Sequence, residues 1–294
     1  LISLFILPFM GHSRARLKSA YNLASIEKAA LITEGVINLT AANLLKESFD
    51  TTNQATAKVY DGEPAFCTFN DAIILVSVSS ESGKIDLNFA SKDLLIKVFI
   101  GLGLKLSDAE NIANNIIEFR TDKTRENISS NKLDQNRKPF PPKYGLFNSA
   151  LELDQVEGIE PELFERAYPL FTVYSRNTGV SPETANPALF AILSGWKRDV
   201  VEQLVLKPFP NSLDRNDTRF PNEYKSIGSN RAYQIHIETL LDGGQSAARD
   251  AIIELNLDVG KPYSIKEFRN SQSYNIEELS RIRTSGKKHL ASCI

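Results

Sequence analysis

Residues 23–45 read LASIEKAALITEGVINLTAANLL and predict a long amphipathic helix. Small and apolar side chains recur there at spacings of three and four, which places them in one stripe along a helix. The members of this stripe are Leu23, Ile26, Ala30, Thr33, Ile37, Ala41 and Leu44. Gly35 is the one helix-breaking residue between Gly11 and Ser48, so the sequence predicts a single helix over residues 1–48.

An apolar segment, LISLFILPFM at residues 1–10, leads directly into this helix. About 11 helical residues span only about 16 Å, whereas the hydrocarbon core of a membrane is about 30 Å thick. We therefore expect the C-terminal half of a membrane helix, truncated at its start. Its expected membrane and assembly contacts are Leu1, Leu4, Phe5, Leu7 and Pro8. The alternative is the tail of a signal peptide, which would end at a cleavage site before a separate domain.

After this helix the apolar periodicity changes from about 3.6 residues to 2, which predicts β-strands. The predicted strands form two hairpins and a final single strand, at residues 57–69, 71–79, 233–239, 253–259 and 263–268. His236 lies on the polar face of its predicted strand. We therefore expect this histidine at the surface.

Between the two β regions the sequence has helical periodicity, interrupted by hairpins at residues 101–103 and 157–159. Because both ends of this block adjoin strands, we expect an α+β fold with a helical domain inserted in a sheet. The predicted parts are a helix at residues 1–48, a discontinuous sheet domain at 49–90 and 207–270, an inserted helical domain at 91–206, and a loose polar tail at 271–294.

The composition of the 294-residue chain is that of an ordinary globular protein, with 42% hydrophobic residues. Its 34 Lys and Arg residues against 36 Asp and Glu residues give a net charge of −2. Duplex binding requires a basic surface that neutralises phosphates, so we expect no nucleic-acid partner. The hairpins at residues 101–103 and 157–159 nevertheless resemble helix-hairpin-helix units. A nucleic-acid-binding module, for instance in DNA uptake, is therefore the alternative.

The patterns that catalysis requires are missing from the sequence. The chain has three histidines, no G-x-S-x-G nucleophile turn and no H-E-x-x-H zinc motif. Gly83 and Lys84 do not complete a phosphate-binding loop, because Val78 and Ile85 stand where that loop needs glycine and a hydroxyl residue. We expect a protein without enzymatic activity.

The two cysteines, Cys67 and Cys293, are far apart in the sequence and form no C-x-x-C pair. They cannot build a zinc site, because such a site needs neighbouring thiolates. The sequence leaves open whether they pair with each other.

Acidic residues lie after the first helical unit and in a later loop. Calcium accepts several oxygen ligands with loose geometry. The candidates for a calcium site are Glu118, Asp122, Asp214 and Asp217. None of them lies in the tight D-x-D-x-D-G order of a calcium-binding loop, so a solvated acidic face is the alternative.

Five short motifs follow the long helix in a fixed order: YDG at 60–62, GKIDLN at 83–88, LELDQVEGI at 151–159, LFTVY at 170–174 and SPETA at 181–185. Their defining positions are Asp61, Gly62, Gly83, Lys84, Asp86, Asn88, Glu152, Leu153, Val156, Gly158, Thr172, Val173, Tyr174, Thr184 and Ala185. This ordered set covers nearly the whole chain and resembles the K-type minor pseudopilins of type II secretion systems.

The resemblance implies a type IV pilin-like fold, with a long N-terminal helix on an antiparallel sheet and a helical domain inserted in that sheet. It also implies a single-pass protein of the bacterial inner membrane with its head in the periplasm. Such a protein caps the pseudopilus tip together with the I- and J-type minor pseudopilins and supports export across the outer membrane. This role requires no cofactor. A subunit of another type IV filament is a further alternative.

One segment departs from the family pattern. The family has an acidic D-W-R-D-x-D segment after the first helical unit, and this chain has EFRTDK at residues 118–123. The resemblance implies a calcium ion there, but Thr121 and Lys123 replace two of the carboxylates. This segment therefore offers a calcium ion fewer carboxylates than the family pattern does.

Overall fold

A computed structural model describes residues 2–49, 60–122, 143–205, 217–226, 231–256, 260–286 and 290–293, with side chains from residue 13 onward. The α-helices are α1 (Ile2–Phe49), α2 (Lys92–Gly101), α3 (Leu106–Arg120), α4 (Pro161–Ala167), α5 (Pro187–Leu193), α6 (Arg198–Val205) and α7 (Ile276–Ser285). The strands are β1 (Ala65–Phe69), β2 (Ala72–Ser80), β3 (Ile85–Asp86), β4 (Phe171–Thr172), β5 (Ala232–Leu241), β6 (Ser246–Leu255) and β7 (Tyr263–Asn270).

One compact unit, which we call the sheet unit, consists of residues 1–57, 64–78 and 233–294. Its five-stranded sheet has the order β1-β2-β5-β6-β7. β1 and β2 pair antiparallel without a break, and β6 and β7 pair antiparallel with a register shift between Ile252 and Ile253. β2 and β5 are neighbours in the sheet although more than a hundred residues separate them, as expected when a domain is inserted between two strands.

Helices cover both faces of this sheet. The hydroxyls of Thr33 in α1 and Thr239 in β5 hydrogen-bond at 2.9 Å. Leu240, the next residue of β5, instead packs with Leu279 of α7 in a small apolar cluster. Because successive side chains of a strand point to opposite faces, α1 and α7 lie on opposite faces of the sheet. The residues of α1 that become buried are Ala29, Ala30, Thr33, Val36, Ile37, Ala41 and Leu44.

The second compact unit, which we call the helical unit, consists of residues 58–63 and 79–232. Helix α2 packs against α3 and α5, and α5 packs against α6. Ser91 caps α2, since its hydroxyl accepts a hydrogen bond from the Leu94 amide at 3.3 Å. A short parallel pairing joins Ile85 and Asp86 of β3 to β4. The largest buried side chains in the core of the helical unit include Phe99, Phe190, Leu94, Leu95, Leu102 and Ile116.

The predicted loose tail at residues 271–294 is wrong. Residues 276–285 form α7, and Leu279 is completely buried. The apolar residues Ile276, Leu279 and Ile282 recur every third position, so one face of this otherwise polar helix packs on the sheet. Cys67 and Cys293, whose pairing the sequence leaves open, form a disulfide with their Cα atoms 5.1 Å apart.

Two predicted boundaries also differ from the structure. The predicted helical domain ends in two helices, α5 and α6, with Gly195 at φ 70° between them. Strand β6 begins at Ser246 instead of residue 253, because its early alanines have low β propensity and conceal the alternation. Residues 79–90 and 217–226, which the sequence assigned to the sheet domain, group with the helical unit instead of the sheet unit.

Candidate assembly surface

Helix α1 carries an exposed apolar stripe that sequence reasoning missed. Leu17, Tyr21 and Leu31 are 72%, 70% and 67% exposed. Ala24 and Lys28 lie between them and complete a 4-3-4-3 spacing, which is the pattern that packs knobs into holes against another helix. Lys28 is the charged member of this set, and its Nζ pairs with Asp71 at 2.8 Å. We call these five residues the outer stripe. The signal was present in the sequence, beside the stripe that identified the helix.

The stripe predicted from the sequence divides into two parts. Ala30, Thr33 and the later members are buried on the sheet, whereas Leu23 and Ile26 are 62% and 45% exposed. The part of α1 before residue 29 therefore presents apolar side chains on more than one face, and the described residues of this chain do not cover them. Such a helix segment is suited to packing among other helices.

The predicted membrane contacts lie at the start of α1. Leu4, Phe5, Leu7 and Pro8 belong to this helix, although their side chains and the whole of Leu1 lie outside the described part of the structure. No helix in the described part contains an apolar window long enough to cross a membrane.

The family-motif positions meet inside the helical unit and hold distant segments together. Gly83 lies against the backbone of Thr184 and Ala185, so closely that a Cβ atom at residue 83 would overlap the Thr184 carbonyl group. Thr184 also shares a hydrogen bond of 3.1 Å with the hydroxyl of Ser82. Ala185 itself is completely buried. The GKIDLN and SPETA motifs are therefore two sides of one packed contact.

A buried ion pair lies beside this contact. The Glu81 carboxylate is completely buried, accepts a hydrogen bond from Lys84 Nζ at 2.6 Å and accepts another from the Thr172 hydroxyl. The Tyr174 amide donates to the same Thr172 oxygen at 3.0 Å. Val173, which lies between Thr172 and Tyr174 in the sequence, packs against the core of the helical unit. The LFTVY motif is thus fixed to the GKIDLN motif through one carboxylate.

Asp86 and Asn88 make the next connections. Asp86 accepts hydrogen bonds from the amides of Arg176 and Asn88 at 2.7 and 2.8 Å. The pKa of this carboxyl is raised, because the effect of burial exceeds the opposite effect of these hydrogen bonds. The side chain of Asn88 donates to the Phe147 carbonyl at 3.0 Å and accepts from its amide at 2.8 Å. Both side chains hydrogen-bond to backbone groups that have no partner in a helix or a strand.

The remaining motif positions stabilise turns. Glu152 pairs with Lys143 at 2.8 Å, and Leu153 and Val156 are buried in the core. Gly158 has φ 92°, and a Cβ atom there would lie 2.9 Å from Ile112. Asp61 bridges to Ser79, and Gly62 has φ 90°. Together with the contacts above, these positions form the framework of the helical unit.

The two hairpins that resemble nucleic-acid-binding units are packing devices. A Cβ atom at Gly101 would overlap the side chain of Ile192, and one at Gly103 would lie 2.6 Å from the guanidinium of Arg198. The second hairpin packs on Ile112 through Gly158. Their glycines therefore serve close helix packing.

Three of the four calcium candidates, Glu118, Asp122 and Asp217, lie among the described residues. Asp217 accepts hydrogen bonds from Arg219 Nη2 at 2.6 Å and Trp196 Nε1 at 2.7 Å, and the bonds from Arg219 hold the pKa of this carboxyl below its ordinary range. Glu118 lies near the end of α3, Asp122 follows that helix, and Asp214 lies outside the described residues. Within the described residues, no three His, Cys, Asp or Glu side chains form a group that could hold a metal ion.

The expectation of a surface His236 is wrong. The residue is 4% exposed, and its ring nitrogens lie 2.7 Å from Asp250 Oδ1 and 3.1 Å from Glu238 Oε1. Burial lowers the pKa of His236, but hydrogen bonds and charge from both carboxylates outweigh it and raise the pKa to about 9. Burial raises the pKa of Asp250, and the contacts with His236 reverse that effect and lower it.

Glu238 also holds the start of α7. Its carboxylate is completely buried and accepts hydrogen bonds from the Tyr274 and Asn275 amides at 3.0 and 3.1 Å. A negative charge at a helix N-terminus satisfies amides that have no partner within the helix. The polar face predicted for β5 is therefore covered by α7, and the charged residues on it form a buried cluster.

No protein-family model matches the chain, and no curated protein matches it in sequence. The long helix on an antiparallel sheet, with the helical unit inserted between β2 and β5, defines a pilin-like fold. Among solved structures, the chain is similar to a chain of the GspK-GspI-GspJ complex from the type 2 secretion system of enterotoxigenic Escherichia coli. The TM-score is 0.57 at 15% identity, over 88% of this chain and 100% of that chain. The predicted resemblance to K-type minor pseudopilins is confirmed at the level of the fold.

Proposed function

We propose that this chain is a minor pseudopilin of a type II secretion system and that it acts by assembly instead of catalysis. The observation that carries the proposal is the fold likeness, which extends over 88% of this chain and the whole of the solved one. The neighbour was solved as a complex of three proteins, GspK, GspI and GspJ. By analogy, the partners proposed here are the I- and J-type minor pseudopilins.

The outer stripe supports this assignment because it gives the chain a means of assembly. Three large apolar side chains, Leu17, Tyr21 and Leu31, are mostly exposed to solvent on a single long helix. Burying them against partner helices removes apolar surface from water, at about 25 cal/mol per Å². We propose that the stripe packs on the helices of the partner pseudopilins, while the residues before it anchor the chain in the inner membrane and the head lies in the periplasm.

The helical unit is proposed to form the cap of the pseudopilus. It is inserted between β2 and β5, and the motif contacts described above hold it together as a compact body. A large rigid body at the tip prevents further subunits from being added. Such a cap acts by its shape, so it requires no cofactor, and calcium is not part of the proposal.

The test is export in a strain that lacks this protein. We expect exoproteins to accumulate in the periplasm and to return to the medium when the wild-type chain is supplied. Normal export by the deletion strain would contradict the proposal. Normal export combined with loss of surface filaments would instead assign the chain to another type IV filament.

A further inference from the structure

The two edges of the sheet are protected in different ways. β7 is one edge, and its residues Lys266, Glu267 and Arg269 are charged. A register shift lies opposite it in β6, between Ile252 and Ile253. Charges and bulges are the usual means by which an edge strand avoids pairing with another chain. β7 therefore needs no further cover.

β1, the other edge, has neither protection. Its sequence, AFCTF at residues 65–69, contains no charged residue and no proline. Its register with β2 is unbroken from Ala65 to Phe69. A flat, uncharged, partly apolar edge of this kind is a template for strand addition.

The C-terminal residues occupy this edge. The Thr68 amide donates to the Ala291 carbonyl at 2.9 Å, and the Cys293 amide donates to the Thr68 carbonyl at 3.0 Å. Ser292 bridges to Thr68 in a parallel arrangement. The disulfide between Cys67 and Cys293 fastens the same short segment to β1. We call residues 290–293 the edge cap.

The edge cap is joined to β1 by contacts that α7 does not make. α7 is held at its start by the Glu238 carboxylate and along its length by the burial of Leu279. Gly286, at φ 96°, ends α7 before the edge cap begins. The described hydrogen bonds between the cap and β1 are made by Thr68. Leu290 of the cap also packs against the apolar cluster that contains Leu279. Loss of the covalent link therefore leaves the cap held by noncovalent contacts alone, while α7 keeps its contacts with Glu238 and with the sheet.

We propose that the disulfide holds the edge cap on β1. Reduction of the disulfide then frees β1 to pair with β1 of a second copy of this chain. In the opening step a dithiol reductant supplies two electrons and two protons, the Sγ–Sγ bond breaks to give two thiols, and the reductant becomes a disulfide. A second copy is the partner because two identical β1 edges can pair antiparallel across a two-fold axis, which gives a closed interface. The absence of charge on β1 removes the repulsion that would oppose it.

The test compares the full chain in its oxidised form, in its reduced form in dithiothreitol, and as the double variant C67S/C293S, all in the same detergent. Light scattering gives the particle mass, and hydrogen exchange reports the Thr68 and Cys293 amides. We expect reduction and the double variant each to double the particle mass as concentration rises. In dilute samples we expect exchange at the two amides to be at least 10-fold faster, with the Tyr274 and Asn275 amides unchanged.

The matched control is Thr68→Pro, also in the reduced form. The Thr68 amide points away from β2, so proline removes a donor of the free edge and leaves the ladder between β1 and β2 intact. We expect this reduced variant not to gain mass. The proposal is overturned if reduced wild-type protein keeps the mass of the oxidised form, if its Thr68 amide stays protected when dilute, if α7 loses protection as well, or if Thr68→Pro gains the same mass.

Discussion

Gly83 illustrates how a motif residue can be required for packing alone. Its α-carbon lies against the backbone of Thr184, a group that cannot move aside like a flexible side chain. Gly145, by contrast, has nothing within 4 Å of the position where a Cβ atom would lie. The two glycines therefore differ in the space around them.

Replacing Gly83 by alanine is expected to destabilise the helical unit by about 1–3 kcal/mol, the usual cost of forcing an extra methyl group into a packed site. The measurement is the midpoint of denaturant unfolding, with Gly145→Ala as the matched control. Equal stabilities of the two variants would show that the contact at Thr184 is not tight.

His236 makes the stability of the sheet unit depend on pH. Its pKa of about 9 in the folded protein exceeds the ordinary value of 6.5, so the folded state binds the proton more tightly than the unfolded state. The contribution is complete below pH 6.5 and is lost as the pH rises through 9. Its size is on the order of 3 kcal/mol, since each pKa unit corresponds to about 1.4 kcal/mol.

We therefore expect the melting temperature of the wild type to fall between pH 6.5 and 9, and that of His236→Gln to change much less over the same range. Thermal unfolding at a series of pH values measures both. An equal fall in the variant would assign the pH dependence to other groups.

At the scale of elements, α7 completes the second face of the sheet. Leu279 is its one fully buried side chain among the described residues, and it packs with Ile73, Leu75 and Leu240. Replacing Leu279 by alanine is expected to cost about 2–5 kcal/mol, because it removes apolar contact and leaves a cavity. Hydrogen exchange across α7 should increase, whereas the exposed Glu277→Ala leaves it near the wild-type rate. Unchanged exchange in Leu279→Ala would mean that α7 is held by Glu238 and not by the burial of Leu279.

The sequence predicted those elements whose signal is local. The spacing of Ala30, Thr33 and Ile37 identified α1, because helical periodicity depends on neighbouring residues. The burial of His236 depends on side chains from β5 and β6 and on the cover provided by α7. The alternation of residues within one strand does not show such contacts, so the sequence predicted a solvent-exposed polar face where the structure has a buried charged cluster.

The sequence predicted only part of the candidate assembly surface, because contacts between distant segments leave no local pattern. The motif positions could be recognised by their order, but their mutual contacts, such as Gly83 with Thr184, join segments about a hundred residues apart. The outer stripe could have been found from its 4-3-4-3 spacing. It was missed because residues 17–31 are apolar on more than one face, and only the structure shows which face the sheet covers.

At the scale of the whole molecule, two compact units carry different tasks in this account. The sheet unit provides a long helix for assembly, and the helical unit provides a compact body held together by the motif contacts. Neither task requires a bond to be made or broken. The central claim is therefore that the outer stripe binds partner pseudopilins.

The most direct measurement of that claim is recovery of the I- and J-type minor pseudopilins with the full chain after co-expression. The double variant L17D/L31D places two charges on the outer stripe, where they would have to be desolvated between helices. The matched control, Leu151→Asp, changes a half-exposed leucine of the helical unit. We predict that wild type and control recover both partners and that L17D/L31D recovers at least about tenfold less of them. Equal recovery by the stripe variant, or no recovery by the wild type, would contradict the account.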